Sequence, residues 1–329
     1  MPSLKTALLA VTAFAALGAS SLAHAQATPE AAEQAARPLT VPLAMRIRTY
    51  NENTPPRTEP VHRGAGTMRI HRLIAPGVLP SNVGFFERGV LMPKSSIGHH
   101  FHLTSEETFF ILDGDAEFTI NGRTSVIKGP AAVPVRMGDS HAVYNPSDKP
   151  MIWLDVAVNE TPGIGGGFDL GDPRVGVPLD PIPTFINARF DPALLRDSPN
   201  YLGGKGVVKH RRVYGPTIYL TPWSYVDHIV IPPGASIGPN ALAEMTEMYF
   251  VLSGEGTVTM GQETAPMRKD QVIPISLGES KSFAASPNTP MELLVVGVAR
   301  DAAAKKTFTL TAPRFGGPPA PPARPAPAR

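Results

Sequence analysis

The chain repeats itself at a constant spacing of 140 residues. Residues 95–98 read Ser-Ser-Ile-Gly and residues 235–238 read Ala-Ser-Ile-Gly, while Pro-Met occurs at both 150–151 and 290–291. Further identities at this spacing are Glu107 and Glu247, Gly114 and Gly254, Pro134 and Pro274, and Gly138 and Gly278. Self-similarity at a fixed period indicates two copies of one structural unit. The length of 329 residues suits two domains of ordinary size.

Short strand-like segments separated by turn residues occur in the first copy. In the first copy these segments are 68–73, 84–91 and 107–112, and the last ends at the turn signal Asp113-Gly114. The composition, 42% hydrophobic and 18% charged, is typical of a globular protein. A formal net charge of +2 gives no electrostatic reason to expect a nucleic-acid partner.

Three histidines and one glutamate in the first copy have the spacing of a metal site. His100 and His102 alternate on one predicted strand, so they project from the same face about 7 Å apart. Glu107 begins the next strand and His141 follows the turn signal Gly138-Asp139, so an antiparallel sheet can bring all four together. Imidazole and carboxylate ligands suit Mn, Fe, Ni, Cu or Zn. The chain has no cysteine, so a thiolate cannot hold the metal.

This pattern resembles the cupin superfamily, whose two motifs are G(X)5HXH(X)3–4E(X)6G and G(X)5PXG(X)2H(X)3N. Residues 100–114 match the first motif from its histidine pair onward, and residues 138–145 match the end of the second. Lys94 replaces the glycine that begins the first motif, and Pro134 lies four rather than two residues before Gly138. Both departures concern turns and not ligands.

The resemblance implies an all-β bicupin, which consists of two tandem jelly-roll barrels. It also implies that His100, His102, Glu107 and His141 hold one divalent transition metal (Mn, Fe, Cu, Ni or Zn) inside the first barrel. Glu107 is in addition the candidate catalytic residue.

The second copy lacks this ligand set. At the same spacing, Asn240, Leu242 and Lys281 replace the three histidines, and only Glu247 remains. Leucine cannot ligate, and a lysine ammonium repels a cation. We therefore predict a metal-free second barrel in which Lys281 and Glu247 pair where the metal would lie. Lys281 is then structural or binds a small anion, and a catalytic nucleophile is the less favoured alternative.

The ends of the chain and the segment between the copies differ from the repeats. The predicted segments are signal peptide 1–25, linker 26–45, first barrel 46–159, inter-barrel linker 160–204, second barrel 205–311 and proline-rich disordered tail 312–329. Lys5, the apolar run 7–17 and Ala23-His24-Ala25 are typical of a cleaved signal peptide. We expect a periplasmic or secreted protein without a membrane span after cleavage, with an uncleaved anchor as the alternative.

The glycine-rich run 163–167 lacks the Gly-Lys-Ser/Thr ending of a phosphate-binding loop, so we interpret it as a plain loop.

Four protein ligands leave room on a metal for a further ligand, as in catalytic sites. Phe109 and Ile111 share the parity of Glu107 on the strand, which favours an apolar interior and a small organic substrate. We therefore expect an exported, metal-dependent oxidoreductase of dioxygenase type. Two alternatives stay open: a redox-neutral metal enzyme (decarboxylase or sugar isomerase type) and a non-enzymatic small-molecule binding or storage protein. A lyase would need a proton donor near the metal, and the parity of Glu106 turns it away.

Other polar residues are given smaller roles. Asn145 and Tyr144 are candidates for orienting the imidazoles, and His99 should face away from the ligand pair. Histidines without a partner in the sequence are expected to be ordinary: His62, His71, His210 and His228. The expected partner is a small-molecule substrate and not nucleic acid, and the chain is expected to be a monomer or a homo-oligomer.

Overall fold

The structure is a computed structural model that describes residues 41–57 and 59–311. The expected signal peptide (1–25) and tail (312–329) lie outside the described residues. Among the described residues no helix is long and apolar enough to cross a membrane. The helical elements are α1 (Leu43–Arg46), α2 (Ala302–Thr311) and 3-10 turns at Val61–Arg63, Pro192–Leu194, Tyr201–Gly203 and Pro216–Ile218.

Eleven strands build the first barrel. They are β2 (Met68–Ile74), β3 (Val83–Leu91), β4 (Ser96–His102), β5 (Ser105–Asp113), β6 (Asp115–Ile120), β7 (Arg123–Lys128), β8 (Ala131–Val135), β9 (Ser140–Tyr144), β10 (Met151–Asn159), β11 (Gly167–Asp169) and β12 (Ala188–Arg189). One sheet has the order β12-β8-β5-β10-β3-β2 and the other the order β11-β4-β9-β6-β7. The two sheets are the facing walls of a jelly-roll barrel.

The second barrel repeats this plan. Its strands are β1 (Arg48–Thr49), β13 (Arg196–Pro199), β14 (Val207–Tyr214), β15 (Trp223–Ile231), β16 (Ser236–Asn240), β17 (Met245–Met260), β18 (Glu263–Arg268), β19 (Gln271–Ile275), β20 (Lys281–Ala285) and β21 (Met291–Ala299). The long β17 pairs with β19 and β21 in one wall and with β18 and β20 in the other. Strands β15 and β21 have the bounds of β3 and β10 shifted by 140 residues. The prediction of two tandem jelly-roll barrels is confirmed.

Each barrel has its own apolar interior, and a third apolar core lies between the barrels. Phe109 belongs to the interior of the first barrel, whereas its neighbour Phe110 belongs to the core between the barrels. Alternate residues of a strand point to opposite faces, so β5 serves both cores. Across the interface Phe86 stacks on Phe250 with ring centroids 5.7 Å apart. The two barrels are therefore joined through one wall of each.

The segment that precedes each barrel packs on the other barrel. Strand β1, which precedes the first barrel, pairs with β19 of the second barrel. Strand β12, which precedes the second barrel, pairs with β8 of the first. These two arms also lie 140 residues apart, at 48–49 and 188–189. Strand β12 lies in the segment expected to be the inter-barrel linker (160–204). Strand β1 lies in the segment expected to be the first barrel (46–159), but it completes a sheet of the second barrel.

Candidate metal centre

The structure brings together the four side chains that the sequence singles out. One ligand atom from each of His100, His102, Glu107 and His141 lies within 4.8 Å of the others, and all four residues are buried. The Glu107 carboxylate bridges two of the imidazoles, with Oε1 3.4 Å from His102 Nε2 and Oε2 3.5 Å from His141 Nε2. This is the atom set of a three-histidine, one-carboxylate metal site.

Both walls of the barrel contribute to the cluster. His100 and His102 alternate along β4, and His100 lies directly opposite His141 of β9 in the same sheet. Glu107 lies on β5, which belongs to the other sheet. The barrel interior is narrow enough that side chains from the two walls meet at one point.

Two backbone carbonyls fix the orientation of the imidazoles. His100 Nδ1 donates to Gly98 O at 2.7 Å and His102 Nδ1 donates to Gly166 O at 2.9 Å. A carbonyl can only accept, so each Nδ1 carries the hydrogen and each Nε2 presents a lone pair. Asn145 does not have the orienting role expected for it, because its amide donates to the carbonyls of Leu91, Met92 and Lys149 in a neighbouring turn.

Burial keeps the imidazoles of the cluster neutral. Desolvation, together with the neighbouring imidazoles, lowers the pKa of His100 to about 2 and that of His141 well below its ordinary value. Burial also raises the pKa of Glu107. Neutral imidazoles are the form that binds metal, so the ring nitrogens need no deprotonation at neutral pH.

A cavity of about 190 Å³ reaches the cluster. Its apolar wall includes Ile97, Phe109 and Trp153. Two arginines, Arg57 and Arg72, also line it, and Arg72 is paired with Glu87 at 2.7 Å. The cavity can hold a small ligand that is apolar in its body and anionic at one end.

His62, which the sequence analysis treats as ordinary, lies at this cavity, so that expectation is wrong. Its ring stacks on His100 with centroids 3.5 Å apart and an interplanar angle of 9°. Its Nδ1 donates to Asp169 Oδ1 at 2.6 Å. Asp169 is on β11, opposite His100 of β4. The repeat could have pointed to His62. The corresponding residue of the second copy is Leu202, so His62, like the three histidines of the cluster, is a histidine that only the first copy has at its position.

Strand β11 acts as a clasp over the cluster. We use this name for residues 166–169, which overlap the glycine-rich run 163–167. The sequence predicts a plain loop there, and this is wrong for Gly167, which begins β11. The clasp supplies the Gly166 carbonyl for His102 and the carboxylate of Asp169 for His62. A Cβ on Gly167 would lie 3.1 Å from His102 Cε1 and 3.4 Å from His62 Cε1. Only glycine fits here without displacing an imidazole.

Asp155 is a second polar residue of the cavity that the sequence analysis does not identify. Its side chain is buried, and its Oδ1 has no hydrogen-bond partner among residues 41–57 and 59–311. Desolvation, followed by the charges of Glu107 and Glu87, raises its pKa well above the ordinary value. Glu106 faces away as expected, since it accepts hydrogen bonds from the backbone of Leu220 and Thr221.

The other histidines of residues 41–57 and 59–311 lie outside the cluster. His99 contacts Ser140 Oγ at 2.9 Å. His71 accepts a hydrogen bond from the backbone of Asn51. In the second half of the chain, His210 lies 3.3 Å from Asp227 and His228 lies 2.7 Å from Glu292.

In the second barrel Lys281 and Glu247 form a buried ion pair. Tyr225 and Tyr249 donate hydrogen bonds to the same carboxylate at 2.6 and 3.0 Å. The ammonium group lies where His141 lies in the first barrel, since the two positions correspond in the repeat. The interior is therefore filled by protein groups at the position of the cluster.

Two jelly-roll barrels with one histidine and glutamate cluster define a two-barrel protein of the cupin type. The cupin domain model matches residues 88–157 and again residues 227–297. The chain therefore contains two cupin domains, one in each barrel.

Comparisons with characterised proteins agree with this assignment. The chain is 29% identical over 108 residues to an oxalate-binding protein of Thermotoga maritima, which covers 33% of this chain and 89% of that protein. It is 26% identical over 91 residues to a tetracenomycin polyketide synthase protein of Streptomyces glaucescens, covering 28% of this chain and 60% of that protein.

Solved structures with the same fold include an enzyme and a protein called vicilin. A variant of salicylate 1,2-dioxygenase from Pseudoaminobacter salicylatoxidans, in complex with gentisate, gives a TM-score of 0.56 at 17% identity and covers 79% of this chain and 86% of its own. Vicilin from Corylus avellana (hazelnut) gives 0.54 at 12% identity and covers 77% and 86%. At these identities the likeness concerns the fold.

Proposed function

We propose that the protein is a metal-dependent bicupin of dioxygenase type that acts on a small organic acid in the first barrel. The observation that carries this proposal is the buried cluster of three imidazoles and one carboxylate in a cavity whose walls are partly apolar and partly charged. The names of two similar proteins, the oxalate-binding protein and the salicylate dioxygenase, refer to small organic acids, which supports this substrate class.

The cluster fits a transition metal because its inward-facing atoms are otherwise unused. His102 Nε2 and both ring nitrogens of His141 are buried without a hydrogen-bond partner among the described residues. An unpaired buried polar group destabilises a fold, so His102 Nε2 and one ring nitrogen of His141 call for a ligand. His100, His102, Glu107 and His141 would hold the ion. When bound, a metal of this kind supplies Lewis acidity and, for Fe, Mn, Cu or Ni, one-electron chemistry.

The residues of the chain supply the rest of the site. Phe109 and Trp153 give the cavity an apolar wall that can contact the carbon frame of a ligand. Arg57 and Arg72 favour an anionic group on the ligand. Glu107 contacts two imidazoles and can also take a proton from a ligand hydroxyl, because burial raises its pKa.

The volume of the cavity limits the substrate. An apolar cavity of about 150 Å³ holds one benzene ring, and the volume here is about 190 Å³. The body of a single-ring acid or a short-chain organic acid therefore fits beside the cluster.

Metal analysis with a matched control tests the proposal. We expect about one transition metal per chain in the wild-type protein and loss of the metal in the double variant His100→Ala, His102→Ala. The corresponding changes in the second barrel, Asn240→Ala and Leu242→Ala, should leave the metal content unchanged. A folded wild-type protein that is purified from its native compartment without metal would refute the proposed function.

A redox-neutral reaction is the second candidate, because Asp155 offers the proton donor that a decarboxylase needs. Oxygen electrode measurements with single-ring and short-chain acids separate the two. Oxygen uptake that depends on substrate supports the dioxygenase type. Turnover of the same acids at an unchanged rate without oxygen supports the redox-neutral type.

We also propose that the protein is exported, on the basis of the signal-peptide pattern of residues 1–25. N-terminal sequencing of the natural protein should begin at Gln26. A mature protein that begins at Met1 and stays in the cytoplasm would contradict export.

A further inference from the structure

The two halves of the chain form an internal comparison between a barrel with the metal-type cluster and one without it. Much of the interior is of the same kind in both barrels. The pair Arg72–Glu87 corresponds to Arg212–Asp227. The aromatic Phe109 corresponds to Tyr249. Positions that differ between the barrels are therefore candidates for the particular task of the first barrel.

Asp155 is such a position. The corresponding residue, Val295, is buried and belongs to the apolar interior of the second barrel. Strands β10 and β21 have the same bounds at the repeat spacing, so the two side chains occupy equivalent places. Valine packs there as an ordinary core residue. An aspartate at the same place desolvates a carboxyl group, which costs free energy unless a partner is present.

The described residues give this carboxyl group an incomplete set of partners. Asp155 is 5% exposed and lines the cavity together with His100, His102 and Glu107. Its Oδ1 has no hydrogen-bond partner among residues 41–57 and 59–311. Its neighbours along the sheet register are Glu87 on β3 and Phe109 on β5, and neither is a cation. The nearby cation Arg72 donates its hydrogen bond to Glu87.

We infer that Asp155 positions the ligand of the first barrel by a hydrogen bond between its Oδ1 and a hydroxyl group of that ligand. The inference rests on the proposed function and narrows its substrate class to hydroxylated small acids. A hydroxyl group suits this place because it can donate to a carboxylate or accept from a carboxylic acid. The arginines of the cavity take the acid group, and the apolar wall takes the carbon frame.

Calorimetric titration of the metal-loaded protein with hydroxylated and plain ligands tests the inference. The probes are the three isomers of hydroxybenzoate, with benzoate as the matched ligand that lacks the hydroxyl group. We expect the wild-type protein to bind at least one hydroxybenzoate about tenfold more tightly than benzoate, as for one buried hydrogen bond. In Asp155→Val, which copies the residue of the second barrel, this preference should fall to about onefold.

Asp155→Asn serves as the conservative variant, since an amide can also hydrogen-bond a hydroxyl group. It should keep most of the preference while binding benzoate as the wild type does. Metal content and melting temperature show that both variants are loaded and folded. A preference that persists in Asp155→Val overturns the inference and leaves the proposed function standing. Metal-loaded wild-type protein that binds none of the four probes overturns the inference, whereas the proposed function is refuted only if the protein also binds no short-chain acid.

Discussion

Asp155 should make the protein less stable than it could be. Its pKa in the folded protein is raised by desolvation and by Glu107 and Glu87. The folded state therefore binds the proton more tightly than the unfolded state, and stability is lost as the pH rises above the unfolded pKa of about 3.9. Asp155→Asn should increase the free energy of unfolding of the metal-free protein by about 1–3 kcal/mol at pH 7.

Urea unfolding at several pH values measures this effect. The gain should shrink as the pH falls through about 4 and be smallest below about 3, where the carboxyl group is protonated in both states. A less stable Asp155→Asn protein at pH 7 would mean that the carboxylate has a stabilising partner.

Removing one partner of the ion pair in the second barrel should instead lower the free energy of unfolding. Lys281→Met leaves the carboxylate of Glu247 buried without its counter-charge, and such a change costs about 3–5 kcal/mol. Replacing both partners, Lys281→Met with Glu247→Gln, should restore much of that loss. Urea unfolding of the three proteins gives the comparison, and a single variant within about 1 kcal/mol of wild type would contradict the pairing.

At the scale of residues, spacing alone was enough to group His100, His102, Glu107 and His141. Alternation on a strand and a turn signal fix where such side chains point. His62 could not be found in this way, because it reaches the cluster from a 3-10 turn with a φ of 52°. Its ring contact with His100 depends on tertiary packing and leaves no local pattern.

The clasp is an element whose packing controls the cluster. Gly167→Val should push β11 away from His102 and His62, because even a Cβ would lie 3.1 Å from His102 Cε1. Loss of the carbonyl that orients His102 should then weaken metal binding by about 10–100-fold. Competition with a chelator measures the affinity.

Gly166→Val is the matched control for the clasp. A Cβ at Gly166 meets no atom within 4 Å, and its carbonyl remains in place. The metal affinity of this variant should therefore stay close to that of the wild type. Equal losses in the two variants would show that the packing against the imidazoles is not the cause.

The elements of the barrels could be predicted, whereas those of the connecting segments could not. Runs such as β5 and β10 are long and apolar, so their strand character is evident in the sequence. Strands β11 and β12 have three and two residues. They form because a sheet edge offers backbone partners, and backbone pairing of this kind has no side-chain signature.

For the molecule as a whole, the arm before the first barrel, which consists of α1 and β1 (residues 43–49), should stabilise the second barrel. Arg46 is buried there, donates to the carbonyl of Pro274 at 3.0 Å and pairs with Glu279 at 2.5 Å. Arg46→Ala breaks a buried pair and should cost about 3–5 kcal/mol. Arg48→Ala removes an exposed contact of the same arm and should cost less than about 0.5 kcal/mol.

Guanidinium chloride unfolding, followed by tryptophan fluorescence, measures these costs. Trp153→Phe leaves Trp223 to report on the second barrel, and Trp223→Phe leaves Trp153 to report on the first, so each arginine change is made in both backgrounds. Similar effects of the two arginine changes would contradict a stabilising arm.

The two-barrel architecture followed from the repeat, which needed no knowledge of which segment packs where. The exchange of arms did not follow from it. A repeat specifies two equal units, and an arm that packs on its own barrel or on the other one has the same sequence.

The exchanged arms affect the order in which the protein can be completed on the ribosome. Arg46 and its partner Glu279 are separated by 233 residues. At about 5–20 residues per second, the arm waits roughly 10–50 s for the barrel that receives it. During that time the apolar side chains of the arm have no partner in their own chain. The nascent chain therefore passes through a stage in which a chaperone can bind this arm, and the arm of a neighbouring chain can later compete for the same second barrel.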